Sequence, residues 1–189
     1  GLRTTKGVPI AAGTIKGSFH QELIKQDCMA CHSDHQGPKL TKRSRKPFSH
    51  ALLKAAVRDD NPVLYIESKY LYRRVKGEVP EADYTVPIGR GEVKRQGTDA
   101  TILTYGATVH QCLEAADTVA REVGAETMVV DLRSLAPLDV ELILSSARAT
   151  GKVLVVHEDS VTGGIGGEVA AIVAERAFDA LDAPVKRLG

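Results

Sequence analysis

Tryptophan is absent from the 189 residues, and with three Phe and five Tyr the aromatic share is only 4%. A surface that reads nucleic acid by stacking bases on rings is therefore not expected. This holds even though residues 1–50 carry nine Lys or Arg against three Asp or Glu, because Phe19 and Phe48 are their only Phe, Tyr or Trp. No apolar run approaches the ~20 residues that cross a bilayer, so no membrane-spanning helix is expected. No sequence repeat is visible. The chain opens on Gly1 with no basic-then-apolar leader behind it, which reads as a removed leader or a fragment.

The totals that are present are ordinary: 43% hydrophobic and 26% charged, a globular composition of one domain or one domain with a small appendage. The charge is not evenly spread. After residue 50 the balance turns acidic, with sixteen Lys or Arg against twenty-one Asp or Glu. Four of six His and two of three Cys lie in the first fifty residues. Such a shift marks a boundary.

Residues 1–18 are rich in Gly, Thr and Lys and read as loop; residues 19–27 allow one or two helical turns, and residues 36–47 read as a basic solvated loop. From residue 51 the pattern becomes regular. "ALLKAAVRDD" is a short helix stopped by Asn61-Pro62. "VLYIESKYLY" is β-branched and aromatic at its start and predicts a strand. Residues 73–99 read as a long connection with a short strand at Val86–Ile88.

An alternation of strands and helices follows. "ATILTYG", "TMVVDLRSL" and "KVLVVHED" are strands. Val109, Cys112, Leu113, Ala116, Val119, Ala120 and Val123 mark one helix face, closed by Gly124. Asp139 caps a second helix and Gly151 closes it. Ile165, Val169, Ile172, Val173, Ala177, Ala180 and Leu181 mark a third, and "APVKRLG" begins a fourth strand. Apolar strands joined by helical crossovers predict an α/β fold, three layers with a mainly parallel sheet.

Two stretches carry candidate chemistry. His157-Glu158-Asp159 ends a strand, where active sites of parallel sheets gather. No partner nucleophile is evident, so these read as polar residues ending a buried strand. "TGGIGGE", residues 162–168, has the glycines of a phosphate cradle at a helix start. It lacks the dinucleotide spacing, because Val169 stands where a glycine is needed, and close helix–sheet packing is the preferred reading. His110 and Cys112 read as helix residues.

Residues 51–189, through "LLKAAVRDDNPVLYIESKYLYR", "VPEADYTVPIGRGEVKRQGTDATILTYG", "VVDLRSLAPLD" and "TGKVLVVHEDSVTGGIGGEVAAIVAERAFDALDAPVKR", resemble the beta subunit of thiamine-dependent 2-oxo acid dehydrogenases. The resemblance implies a remnant of the pyrimidine-binding domain and linker at 51–94 and a transketolase C-terminal-like domain at 95–189. It implies thiamine diphosphate for the whole enzyme but not for this chain alone. The part that carries the catalytic His and activating Glu has no counterpart here, so no catalytic residue is assigned. The family continues past a position like Gly189. Implied partners are an alpha subunit, the acyltransferase core and a second beta chain, in the cytoplasm.

Residues 26–37, "QDCMACHSDHQG", hold Cys28-Met29-Ala30-Cys31-His32, the spacing of c-type haem attachment. With "FH" before and "FSHALL" after, residues 19–53 resemble a multihaem c-type cytochrome. The resemblance implies thioether links at Cys28 and Cys31, His32 as the proximal iron ligand, and His20 as the second ligand ahead of His35. His50 resembles a ligand of a second haem, but no second Cys-x-x-Cys-His follows. Zinc on Cys28, Cys31, His32 and His35 is an alternative. Haem attachment implies export to the periplasm, which conflicts with the later residues. The chain therefore reads as a chimera: a cytochrome-like, irregular segment at 1–50 joined to an incomplete beta subunit near "SHALLKAA".

Overall fold

The computed structural model describes residues 47–73 and 83–189. Cys28, Cys31, His32, His20 and His35, with the expected loops of residues 1–46, lie outside the described residues. Helix α1 (Pro47–Arg58) includes the helix expected from "ALLKAAVRDD". After it, residues 62–68 have no regular structure and lead into a 3-10 turn at Lys69–Arg73. The expected strand is not formed: Leu64 is 86% and Ile66 79% exposed. β-branched residues favour a strand only where neighbouring strands and a covering layer exist to pack against, and none lies beside them among the described residues. Val86–Ile88 likewise forms no strand, and Ile88 lies in a turn. Val86 donates its N–H to the Ala51 carbonyl at 3.3 Å, but no ladder follows.

The sheet is built from β1 (Glu92–Arg95), β2 (Ala100–Thr104), β3 (Thr127–Asp131), β4 (Val153–Val156) and β5 (Lys186–Leu188), in the order β1-β3-β2-β4-β5. β2, β3, β4 and β5 are parallel; β1 pairs antiparallel with β3, with an irregularity between Val93 and Arg95. β1 was expected to be part of the long connection. Its four residues, EVKR, are half-buried and mostly charged, a composition that suits a sheet edge and leaves no apolar run to detect.

Three helices connect the parallel strands: α2 (Thr108–Val123), α3 (Val140–Thr150) and α4 (Ile165–Arg176). β2 leads left to β3, whereas β3 and β4 lead right, so right-handed crossovers put α2 on one face and α3 and α4 on the other. Alternate residues of β2 separate accordingly. Leu103 joins Val155, Ile143, Val169 and Val173 in the larger core, and Ile102 joins Cys112, Ala116 and Val129 in the smaller one. The mainly parallel three-layer fold is the one expected.

The expected helix stops are also present. Gly124 and Gly151 take left-handed φ of 74° and 66°, and Asp139 accepts the Leu142 N–H at 3.1 Å. The expected stripe of α2 is only half used. Val109, Cys112 and Ala116 are buried, but Val119 and Val123 are exposed. Sixteen helical residues run about 24 Å, while the five of β2 run about 17 Å. The last turns of α2 overhang the sheet.

Candidate functional site

The chain leaves the adjacent strands β2 and β4 toward opposite faces, so their carboxyl ends bound a crevice of the kind in which open α/β sheets bind ligands. Tyr105 follows β2 and His157 follows β4. Their rings are parallel to within 6° with centroids 6.4 Å apart. The His157 N–H donates to the Leu188 carbonyl at 3.1 Å, tying the crevice to β5.

His157 is only 3% exposed, and neither ring nitrogen has a hydrogen-bond partner. The glycines of residues 162–168 explain its seat. A Cβ on Gly166 would overlap the imidazole Nε2, and one on Gly164 would stand 2.9 Å from Cε1. The imidazole packs closely against two of these glycines, so the packing reading is the one the geometry supports. Glu158 and Asp159 are exposed, and Asp159 accepts the Ser160 N–H at 2.7 Å. Burial first, then the Asp159 and Glu158 carboxylates, pushes the Tyr105 phenol above its ordinary pKa. No hydrogen bond joins His157 to either carboxylate. The three side chains are neighbours in sequence without forming an acid–base pair.

His110 and Cys112 lie within α2 as expected. The Cys112 thiol is buried, and that burial pushes its pKa up, the opposite of what a metal-binding or nucleophilic thiolate needs.

The loop after β3 holds an arrangement that the periodic pattern did not mark. Arg133 has φ of 58°, rare for a residue with a Cβ. The Asp131 carboxylate accepts the Arg133 N–H at 3.1 Å, the two-residue side-chain turn that accommodates such a φ. The Arg133 guanidinium contacts Glu92 on β1 and lies 3.9 Å from Asp131. Burial nevertheless holds the Asp131 carboxyl above its usual range. The same loop grips the incoming chain. Gly89 N–H donates to Ser134 Oγ at 3.0 Å, and Gly91 N–H donates to Asp139 Oδ2 at 3.1 Å. Asp139 thereby caps α3 and anchors the linker at once. The only available sequence signal was its role as a cap.

Comparison with known proteins joins this geometry to a family. The family described as "Transketolase, C-terminal domain" matches residues 89–189. The chain belongs to that family. The match starts at the anchored Gly89, and β1 follows at Glu92, so both begin ahead of the expected boundary at 95. Among curated relatives of this transketolase C-terminal chain, the 2-oxoisovalerate dehydrogenase subunit beta of Bacillus subtilis is 45% identical over 180 residues, covering 95% of the chain and 54% of the relative. The pyruvate dehydrogenase E1 component subunit beta of the same organism is 39% identical over 188 residues, covering 100% of the chain and 58% of the relative. The chain thus spans little more than half the length of these relatives. A solved structure described as a split gene transketolase, inactive beta4 tetramer, is 40% identical with a TM-score of 0.51, over 60% of this chain and 36% of that one.

The described residues do not fit the thiamine diphosphate that the beta-subunit resemblance implies. Among them, no three His, Cys, Asp or Glu side chains converge where a divalent ion would bridge a diphosphate, and the His157 ring packs against Gly164 and Gly166 at the start of α4. No described helix is long and apolar enough to cross a membrane.

Proposed function

We propose that this chain is a portion of the beta subunit of a 2-oxo acid dehydrogenase, acting in subunit association rather than in chemistry. The observation that carries the reading is the identity of 45% and 39% to subunits named for 2-oxoisovalerate and pyruvate dehydrogenases. In this reading residues 89–189 are the association domain and the residues from 51 up to them the remnant of the preceding domain and linker. The partners are an alpha subunit, the acyltransferase core and a second beta-type chain, in the cytoplasm. The relative described as an inactive tetramer of beta chains supports self-association without turnover.

The test is direct. The purified chain, given thiamine diphosphate, magnesium and either pyruvate or a branched 2-oxo acid, is expected to release no carbon dioxide, and a co-expressed alpha subunit is expected to copurify with it. Cofactor-dependent turnover by the chain alone overturns the association role, and failure of the alpha subunit to copurify overturns the assignment.

The cytochrome reading rests on the spacing of Cys28, Cys31 and His32 with His20 placed before them. Alignments that take in 95% and 100% of the chain run well into residues 1–50, and they lend no support to a haem segment or to a fusion of unrelated pieces.

A further inference from the structure

Packing accounts for the glycines around His157 and leaves its ring nitrogens unexplained. A neutral imidazole carries one N–H donor and one bare acceptor nitrogen. Both are buried here, and neither meets a hydrogen-bond partner among the described residues. Folded proteins rarely leave such groups unpaired, and one that stays so points to a group that the chain does not itself supply. The Nε2 edge of the ring faces the first turn of α4, at Gly166. That turn is short of acceptors too: its N-cap is Gly164, and no side chain caps it. Across the crevice α2 also starts with no side-chain cap and no acidic residue in its first turn. The glycines that lead into these two helices, Gly106 and Gly163, have nothing within 4 Å of the place a Cβ would take.

We propose that the crevice between β2 and β4 binds a small monocarboxylate, whose oxygens accept from the His157 ring and from the open amides at the start of α4. A helix start takes anions because its first N–H groups have no partner within the helix and its aligned peptide dipoles make that end positive. The imidazole adds a donor at the same place, through an N–H at Nε2 in one neutral tautomer and in the charged form. The class of anion follows from the acidic side chains at the mouth. Glu158 and Asp159 are exposed, Asp159 Oδ2 lies 3.1 Å from the Cβ position of Gly164, and Glu168 stands in the first turn of α4. Repulsion by fixed charges grows in proportion to the charge of the ligand. A singly charged carboxylate therefore enters where a more highly charged phosphate is turned away. The site holds one anionic group and needs no divalent ion. It uses only residues of this chain, and it stands whether or not an alpha subunit binds.

Nuclear magnetic resonance of the isotope-labelled full chain tests this, read at the ring nitrogens of His157 and at the Ile165 and Gly166 amides. Acetate is expected to shift all of them along a saturable curve. Inorganic phosphate at equal ionic strength is expected to bind at least about threefold more weakly, and sodium chloride to give no saturable shift. His157→Phe keeps a ring in the seat and removes its nitrogens, and it is expected to weaken acetate about tenfold or more. Asp159→Asn takes a charge from the mouth at an exposed position. It is expected to fold even if His157→Phe does not, and to tighten acetate about twofold. Acetate shifts that miss His157 or never saturate, chloride shifts equal to those of acetate, phosphate as the tighter ligand, undiminished binding in His157→Phe, or binding unimproved in Asp159→Asn each overturns the proposal.

Discussion

Residues 47–73 and 83–88 differ from residues 89–189 in what holds them. In the second region apolar strands are covered on both faces, and Leu103, Val129 and Val155 are fully or almost fully buried. In the first, the cross-links include the ion pairs of Asp83 with Lys54 at 2.6 Å and Arg58 at 3.0 Å, all exposed, and pairs of that kind contribute little. Yet the first region has a strand composition too: "VLYIES" is as β-prone as "ATILT". The difference teaches that β-branched side chains report a preference for a pleated, covered surface. Without neighbours on either side the preference goes unexpressed.

The largest effect should come from truncating equivalent leucines in the two regions. Leu103→Ala is expected to cost about 2–5 kcal/mol, because it removes a fully buried side chain from the centre of β2. Leu64→Ala, at 86% exposure, should stay within about 0.5 kcal/mol of wild type. Urea unfolding followed by circular dichroism measures both, and equal losses would erase the distinction between the regions.

A smaller effect sharpens the account of the second region. Gly166→Ala is expected to cost about 1–3 kcal/mol through overpacking, because its new methyl meets His157. In a His157→Ala background most of that cost should vanish. If the two substitutions simply add, the imidazole is not what excludes the methyl.

The smallest effect contrasts one carboxylate from each region. Burial raises the pKa of Asp131, so the folded chain holds this proton to higher pH than the unfolded chain does. Stability then falls as pH rises from the ordinary Asp value to the raised one and is level above it. Asp83 is opposite in sign, held low by Lys54 first and Arg58 second, so its contribution is present at neutral pH and fades as acid protonates it. Asp131→Asn is expected to flatten the loss on raising pH, and Asp83→Asn, at an exposed site, to leave the curve nearly unchanged. Urea midpoints from acid to neutral pH decide this, and a curve unaltered by Asp131→Asn would count against burial as the cause.

What was legible in the sequence was what is decided locally. Gly124, Gly151 and Asp139 act within a turn of the helices they bound, and the buried stripe of α4 needed only its own periodicity. Val119 and Val123 were misplaced because burial of a helix also depends on the length of the strands beneath it. β1 went unseen because an edge strand of charged residues has no pattern of its own. At the candidate site, His157 could be placed at a strand end. Its glycine cage could not, since the ring meets Gly166 only after α4 folds back onto the sheet and meets the Gly189 backbone only after β5 pairs. The φ of Arg133 has the same origin: Asp131 makes the turn, but Glu92, about forty residues earlier, holds the side chain.

The two hydrogen bonds that the Gly89 and Gly91 amides donate have a mechanical consequence. β1 is an edge strand held on one side, and tension from its amino end would part its ladder one bond at a time. With Gly89 tied to Ser134 and Gly91 to Asp139, a pull transmitted along the linker is first shared between two bonds loaded together. Asp139 passes that load to the first turn of α3, whose inner face is seated in the larger core. Strain from whatever precedes residue 89 thus reaches the body of the domain as traction on a packed helix, and the edge strand is spared.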